Sequence, residues 1–271
     1  TAERLAKEYE LTREEHDQWA LRSNIRAASA YGEGRFKNEI IPMEAKLSDG
    51  MIKVVDYDET VRPDSTIEKI RSLPSIYSAD GVITAASAST ENDAAAFGVF
   101  MSKEEAKQLG LVPLCTIKEL AHAACDPGIM GYSAIKATRK ALERSNLSAD
   151  DIDVWQSNEA FATVPMALCK DLGVDPDKMN VNGCACCIGH AIGASGMRVL
   201  GTAAYEINRT GSKYGCASIC GGWGQGTAII VEREDYWDGR RAWKLGGVPT
   251  PAKYPYTDPF PGFPPEGSVQ L

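Results

Sequence analysis

Histidine is scarce in this chain of 271 residues, which has three, at positions 16, 122 and 190. Imidazole chemistry at neutral pH therefore has few places to occur. Positive charge is also short: 29 lysines and arginines face 37 acidic residues, giving a formal net charge of −8. The basic residues are dispersed and form no stripe to neutralise a phosphate backbone, which excludes nucleic acid as a partner. Long apolar runs are missing too. The most apolar stretch, from Ala217 to Val231, is cut by Gly221, Gly222, Gly224 and Gly226, and a bilayer span needs about 20 apolar residues; no membrane helix is expected. The first ten residues carry no charged-then-apolar signal, and the eight cysteines lie in apolar or glycine-rich surroundings, so a reducing, cytoplasmic compartment is expected. An initiator Met is lacking as well, and the chain opens at Thr1 inside a helical pattern, which suggests that sequence once preceded it.

What is present suits a packed globular core: 44% of residues are hydrophobic and 24% charged. Thr12-Arg13-Glu14-Glu15 reads as a capping box opening an amphipathic helix that stops near Gly32 or Gly34. Residues 36–74 break into short β-like runs, Glu39 to Ile41 and Met51 to Tyr57, typical of a surface lid. After the small-residue segment Gly81 to Ala96, a second capping box at Ser102 opens a short helix closed by Gly110. Strands at 112–121 and 152–155 then alternate with helices at 134–145, 158–172 and 194–209, and two apolar runs, 214–219 and 227–232, flank a glycine-rich turn. Such alternation predicts an α/β layered core. Past Glu234 the composition shifts, with seven of the fourteen prolines between Pro249 and Pro265, interleaved with Tyr254, Tyr256, Phe260 and Phe263. That tail is expected to dock in an extended conformation.

Three short segments carry the candidate chemistry. His190 alone among the histidines sits in a glycine-rich loop, Gly189-His190-Ala191-Ile192-Gly193-Ala194-Ser195-Gly196, where backbone can approach a ligand closely. Cys220 ends a strand and opens Cys220-Gly221-Gly222-Trp223-Gly224-Gln225-Gly226, whose amides suit a developing negative charge. Asn158-Glu159-Ala160-Phe161 follows a strand, where Asn158 is a cap, a site residue, or both. Cys184-Ala185-Cys186-Cys187 has a C-x-x-C spacing, but no second pair and no spare histidine stand nearby, so small-residue packing is expected and no metal.

Together, Asn158 to Phe161, Gly189 to Gly196 and Cys220 to Gly226 resemble the three active-site motifs of thiolases, and the intervals of 32 and 30 positions between Asn158, His190 and Cys220 agree with that family. Thr1-Ala2-Glu3, Gly34-Arg35-Phe36, Thr84 to Asp93 and Met130-Gly131 extend the resemblance to about Glu234. It implies a thiolase-like α-β-α-β-α fold, of which this chain holds the loop (lid) domain and the C-terminal half. By that similarity residues 1–91 are the lid with its CoA-shielding segment, 92–112 return to the N-terminal core half, 113–234 form the C-terminal half, and 235–271 are the tail.

The resemblance also implies a reaction on coenzyme A thioesters, thiolytic cleavage of a 3-oxoacyl-CoA or the reverse Claisen condensation, with CoA and acyl-CoA as substrates and no permanent cofactor. His190 activates a nucleophilic cysteine and donates to the thioester oxygen, and Asn158 holds a water completing that oxyanion hole. Cys220 shuttles the α-proton, for which its surroundings are expected to lower the thiol pKa. The Gly222 amide binds the tetrahedral intermediate, while Ser89 and Arg62 match CoA-contacting positions. The nucleophile segment itself is not present: Cys115, Cys125 and Cys169 stand in other contexts. A nicked chain, a split gene and a truncation remain open, with a partner chain or fragment supplying that half and a homo-oligomer expected. The competing reading is a non-catalytic, thiolase-like acyl-CoA-binding or scaffolding subunit. Two departures from the family stand out: Ala191 replaces the usual proline, and Trp223 replaces a usual glycine, which implies a modified acyl pocket.

Overall fold

A computed structural model describes residues 1–234; the tail from 235 onward, with its expected docking, lies outside the described residues. The chain opens with helix α1 (Ala2–Glu8) and α2 (Arg13–Gly32). Thr12 caps α2 as its sequence requires, its side chain accepting from the Glu15 amide while the Glu15 carboxylate accepts from the Thr12 amide. Residues 33–74 then carry the hairpin β1 (Met43–Lys46) and β2 (Ile52–Val55) and the short helix α3 (Ile67–Arg71). The run expected at 39–41 is not a strand; Glu39 instead turns inward to meet Thr202.

Next come α4 (Lys103–Gln108), β3 (Thr116–Ala124), α5 (Tyr132–Ser145), β4 (Val154–Ser157), α6 (Thr163–Leu172), the single turn α7 (Ala185–Ile188), α8 (Ile192–Thr210), β5 (Tyr214–Gly221) and β6 (Gln225–Glu232). Four of these strands make one mixed sheet in the order β3-β6-β5-β4, antiparallel except for the parallel pair β4 and β5. A parallel neighbour demands a long crossover, and α6, α7 and α8 supply it. Among the described residues no helix is long and apolar enough to cross a membrane.

The sheet is sandwiched unequally. α5 covers the face carrying Cys216, Ala228 and Ile230, which share one apolar core with Ile135, Ala137 and Trp155. Gly226 lies on that face, and a β-carbon there would collide with the Ser133 carbonyl, so its lack of a side chain is what lets the start of α5 settle on the sheet. α8 packs on the other face through Val199, Leu200, Ala203 and Ile207 against Val154, Ala217 and Val231. Beyond α8 that face is only partly covered: Ile219, Thr227 and Ile229 are half-buried and Ile117 is exposed. Phe97 and Val99, in the segment between α3 and α4, are 89% and 87% exposed.

One boundary differs in a way that matters for the site. The sequence reading starts a helix at Asn158, whereas α6 starts at Thr163. Asn158 is therefore not the α6 cap; its amide donates to the Ser218 carbonyl at 2.9 Å, prolonging the sheet ladder past β4.

Candidate active site

Asn158 and His190 meet. The Asn158 Nδ2 lies 3.4 Å from the His190 Nε2, with Asn158 fully buried and His190 half-buried at the end of the α7 turn. The backbone holds His190 from the other side, since its amide donates to the Thr90 carbonyl at 2.9 Å and Glu91 and His190 form an isolated parallel bridge. Gly189, just before it, has φ of +82° and sits so close to Asn92 that any β-carbon would strike that side chain. The segment around residues 84–92 is thereby laid against the histidine loop. Its other end is clamped by Glu3, whose carboxylate accepts from the amides of Val82 and Ile83 at 3.0 and 2.9 Å.

The protonation of His190 follows from its neighbours. Ser195 Oγ lies 2.7 Å from His190 Nδ1 and 2.9 Å from the Ala191 carbonyl. A carbonyl only accepts, so the hydroxyl proton goes there and Oγ accepts from Nδ1–H. Neutral His190 thus carries its proton on Nδ1 and presents a lone pair on Nε2 toward Asn158. Burial, and then the charge of Arg198, depress the His190 pKa below its ordinary 6.5, which keeps the ring neutral at pH 7 and competent to take a proton at Nε2. Ser195→Ala should release the ring into a mixture of tautomers, visible in the ¹⁵N chemical shifts of its nitrogens; a ring that stays wholly Nδ1-protonated rules out this role for Ser195.

Cys220 ends β5, two residues beyond Ser218, the partner of the Asn158 amide, and pairs across the hairpin with Gly226. It is buried among Ala134, Val164, Met130 and Ala160. Burial pushes its thiol up to about 12 from the ordinary 9.0, against a smaller opposing backbone hydrogen bond. The surroundings were expected to lower that pKa; in this pocket desolvation outweighs the amides, and Cys220 rests as the neutral thiol. Gly222 opens the exposed turn of the hairpin, with open space around its α-carbon. Trp223 at the tip is 87% exposed and has φ of +63°, a left-handed conformation unfavourable for a residue with a β-carbon.

The remaining candidates are further out. Ser89 is half-buried, one residue before Thr90, whereas Arg62 stands apart ahead of α3, exposed, its amide donating to Asn24 Oδ1 at 2.9 Å. The three cysteines of the C-x-x-C segment make separate contacts: Cys184 with Arg198, Cys186 with the Ser87 carbonyl, and Cys187 with Ser23. No metal-holding cluster occurs among the described residues.

Two residues escape sequence reasoning. Glu159 is completely buried and accepts four hydrogen bonds, Trp19 Nε1 and Asn180 Nδ2 at 2.9 and 3.0 Å on Oε1, and Ser23 Oγ and the Cys186 amide at 2.8 and 3.0 Å on Oε2. Arg198 reaches the site from α8, with Nη2 placed 3.4 Å from Asn158 Oδ1 and 3.0 Å from Cys184 Sγ. The partners of both lie far away in sequence, and no local pattern announces them.

Comparison with known proteins places these motifs in context. The family description "Thiolase, N-terminal domain" matches residues 1–104 and "Thiolase, C-terminal domain" matches residues 111–233. A 3-ketoacyl-CoA thiolase of Marinobacter nauticus is 44% identical over 237 residues, covering 86% of this chain and 61% of the relative. An acetyl-CoA acetyltransferase of Rhizobium meliloti is 46% identical over 233 residues, covering 86% and 59%. Among solved structures, the acetyl-CoA acetyltransferase of Bacillus anthracis superposes with a TM-score of 0.83 at 41% identity, covering 86% of this chain and 59% of that one. Human mitochondrial 3-ketoacyl-CoA thiolase in complex with CoA gives 0.77 at 34%, covering 86% and 58%. The chain thus spans about three fifths of the length of these relatives.

Proposed function

Because this chain belongs to the thiolase family, we propose that it supplies the proton-transfer and oxyanion-binding part of a thiolase, acting on coenzyme A thioesters. The observation that carries this reading is the His190–Asn158 pair, its imidazole locked as the Nδ1–H tautomer by Ser195, with the Asn158 backbone bonded to Ser218 on β5, the strand that carries Cys220 two residues on. In cleavage of a 3-oxoacyl-CoA, His190 takes the proton of the nucleophilic thiol at Nε2, and the thiolate attacks C3. The C2–C3 bond then breaks, its electron pair passing to the enolate of the departing acyl-CoA, whose oxygen is held by His190 Nε2–H and a water on Asn158. Cys220 donates its proton to C2, and the thiolate left behind takes one from incoming CoA, whose sulfur attacks the acyl-enzyme; the second acyl-CoA is freed as the nucleophilic thiolate leaves and takes back the proton held at His190 Nε2. The Gly222 amide serves the tetrahedral intermediates.

Ser89 and Arg62 contact CoA in this reading, and Trp223 shapes the acyl side. The nucleophile comes from a segment or partner chain carrying the N-terminal half. The exposed Phe97 and Val99 and the half-covered sheet face by α8 support that partner, because apolar surface of this extent calls for a cover. A cytoplasmic homo-oligomer is the expected setting.

The test is CoA-dependent loss of a 3-oxoacyl-CoA, followed with the full chain and any polypeptide that copurifies. Cys220→Ala should slow it by roughly 10²–10⁴-fold, the usual worth of a positioned acid or base. A parent as silent as the variant rejects the enzyme and favours the non-catalytic acyl-CoA-binding subunit.

A further inference from the structure

We propose that Arg198 is the positioning residue that fixes which way the Asn158 carboxamide points, so that its Nδ2 and not its Oδ1 faces His190. The two ends of a carboxamide are nearly the same size, and packing alone discriminates poorly between them. Hydrogen bonding discriminates strongly here. A guanidinium has donors only, and Arg198 Nη2 stands 3.4 Å from Asn158 Oδ1. Turning the amide over would set its NH2 against the guanidinium and give up a charge-assisted bond. With Oδ1 held, Nδ2 is left at 3.4 Å from the Nε2 lone pair of neutral His190. When Nε2 becomes protonated, both groups are donors and turn together toward one acceptor oxygen between them.

The way Arg198 is held supports this assignment over a structural one. Its hydrogen-bond partners on Nη2 are a thiol sulfur at 3.0 Å and the Asn158 oxygen, and its Nη1 is buried without a hydrogen-bond partner among the described residues. The carboxyl groups of Glu39 and Asp58 act on it through space. An arginine placed purely to hold the fold would be expected to saturate its fork on carboxylates or carbonyls. Arg198 instead spends its bonds on a weak acceptor and on the side chain next to the imidazole. Its charge also helps hold His190 neutral.

The orientation is measurable without substrate, in the full chain. Nuclear Overhauser contacts between the Asn158 carboxamide protons and the His190 ring should be strong in the parent. In Arg198→Met they should fall at least about two-fold as the amide samples both orientations, and the His190 titration midpoint should rise. Arg198→Lys keeps the charge and much of the volume but not the fork, so it should lose the contacts while shifting the midpoint less; it carries the test if the Met variant does not fold. A role in packing alone would lower the melting temperature and leave the Overhauser contacts where they were, while the midpoint follows the lost charge in either case; unchanged contacts in a folded variant overturn the proposal. For turnover, which rests on the thiolase reading, kcat should drop roughly 10²-fold, the scale of a misplaced catalytic group, with KM for acyl-CoA little changed. A parent without turnover would defeat that reading while the resonance measurements still decide the role of Arg198.

Discussion

Glu159→Ala should remove about 3–5 kcal/mol of folding stability, among the largest single-residue effects this chain offers, because it strips the acceptor from four buried donors at once. Trp19 and Ser23 come from α2, Asn180 precedes the α7 turn, and the Cys186 amide belongs to it. Three separate stretches of chain therefore converge on one carboxylate adjacent to Asn158, and its loss leaves the indole N–H and the Cys186 backbone N–H without an acceptor, while the Asn180 amide keeps its bond to the Ser157 carbonyl and the Ser23 hydroxyl keeps Cys187 Sγ. Glu159→Gln tests the mechanism more finely. Each carboxylate oxygen takes two donors, so whichever end receives the NH2 sets donors against donors, and a cost of about 1–3 kcal/mol is expected despite the equal shape. Denaturant unfolding of the two variants measures both effects; a Glu159→Ala loss below about 1 kcal/mol would show that the network relaxes or that water replaces the carboxylate.

The second large effect is alkaline. Cys169, Cys216 and Cys220 are buried, and desolvation pushes each thiol up to about 12 from an ordinary 9.0. The sign follows directly. Above pH 9 the unfolded chain releases these protons while the folded chain keeps them, so the folded state binds more protons and its stability falls as pH rises. At pH 10 each thiol contributes a loss of about 1.4 kcal/mol, and the three together about 4 kcal/mol, a large share of the 5–15 kcal/mol typical of a folded domain. The unfolding midpoint should hold to about pH 9 and then descend, and Cys216→Ala should recover its own share, about 1.4 kcal/mol at pH 10. A midpoint flat between pH 8 and 10.5 would mean that these thiols reach water in the folded chain.

Much of this architecture is legible in the sequence where the signal is local. The Thr12 capping box, the helix at 132–145 and the two β-branched runs around the glycine turn each fold as their own residues dictate. Where reading fails, a distant partner has intervened. The segment from Asn158 looks helical, yet its first amide is taken by Ser218 and the Ala162 amide by the Ser87 carbonyl, which holds the chain out of the helix until Thr163. One local clue to that boundary is Pro165, which belongs in the first turn of a helix, where its missing N–H costs nothing. The three motif segments are legible because each is short and continuous. The tautomer of His190 and the purpose of Arg198 are not, because they depend on which atoms face each other across turns and helices.

The Cys220 hairpin divides its positions into two kinds. At Gly226 the opposing backbone leaves no room for any side chain, whereas around Gly222 there is open space, and Trp223 already points an indole into it. Substitutions at the tip can therefore accumulate without disturbing the packing around Cys220. The hairpin is thus open to change along one narrow axis, two residues wide, while its buried end stays fixed.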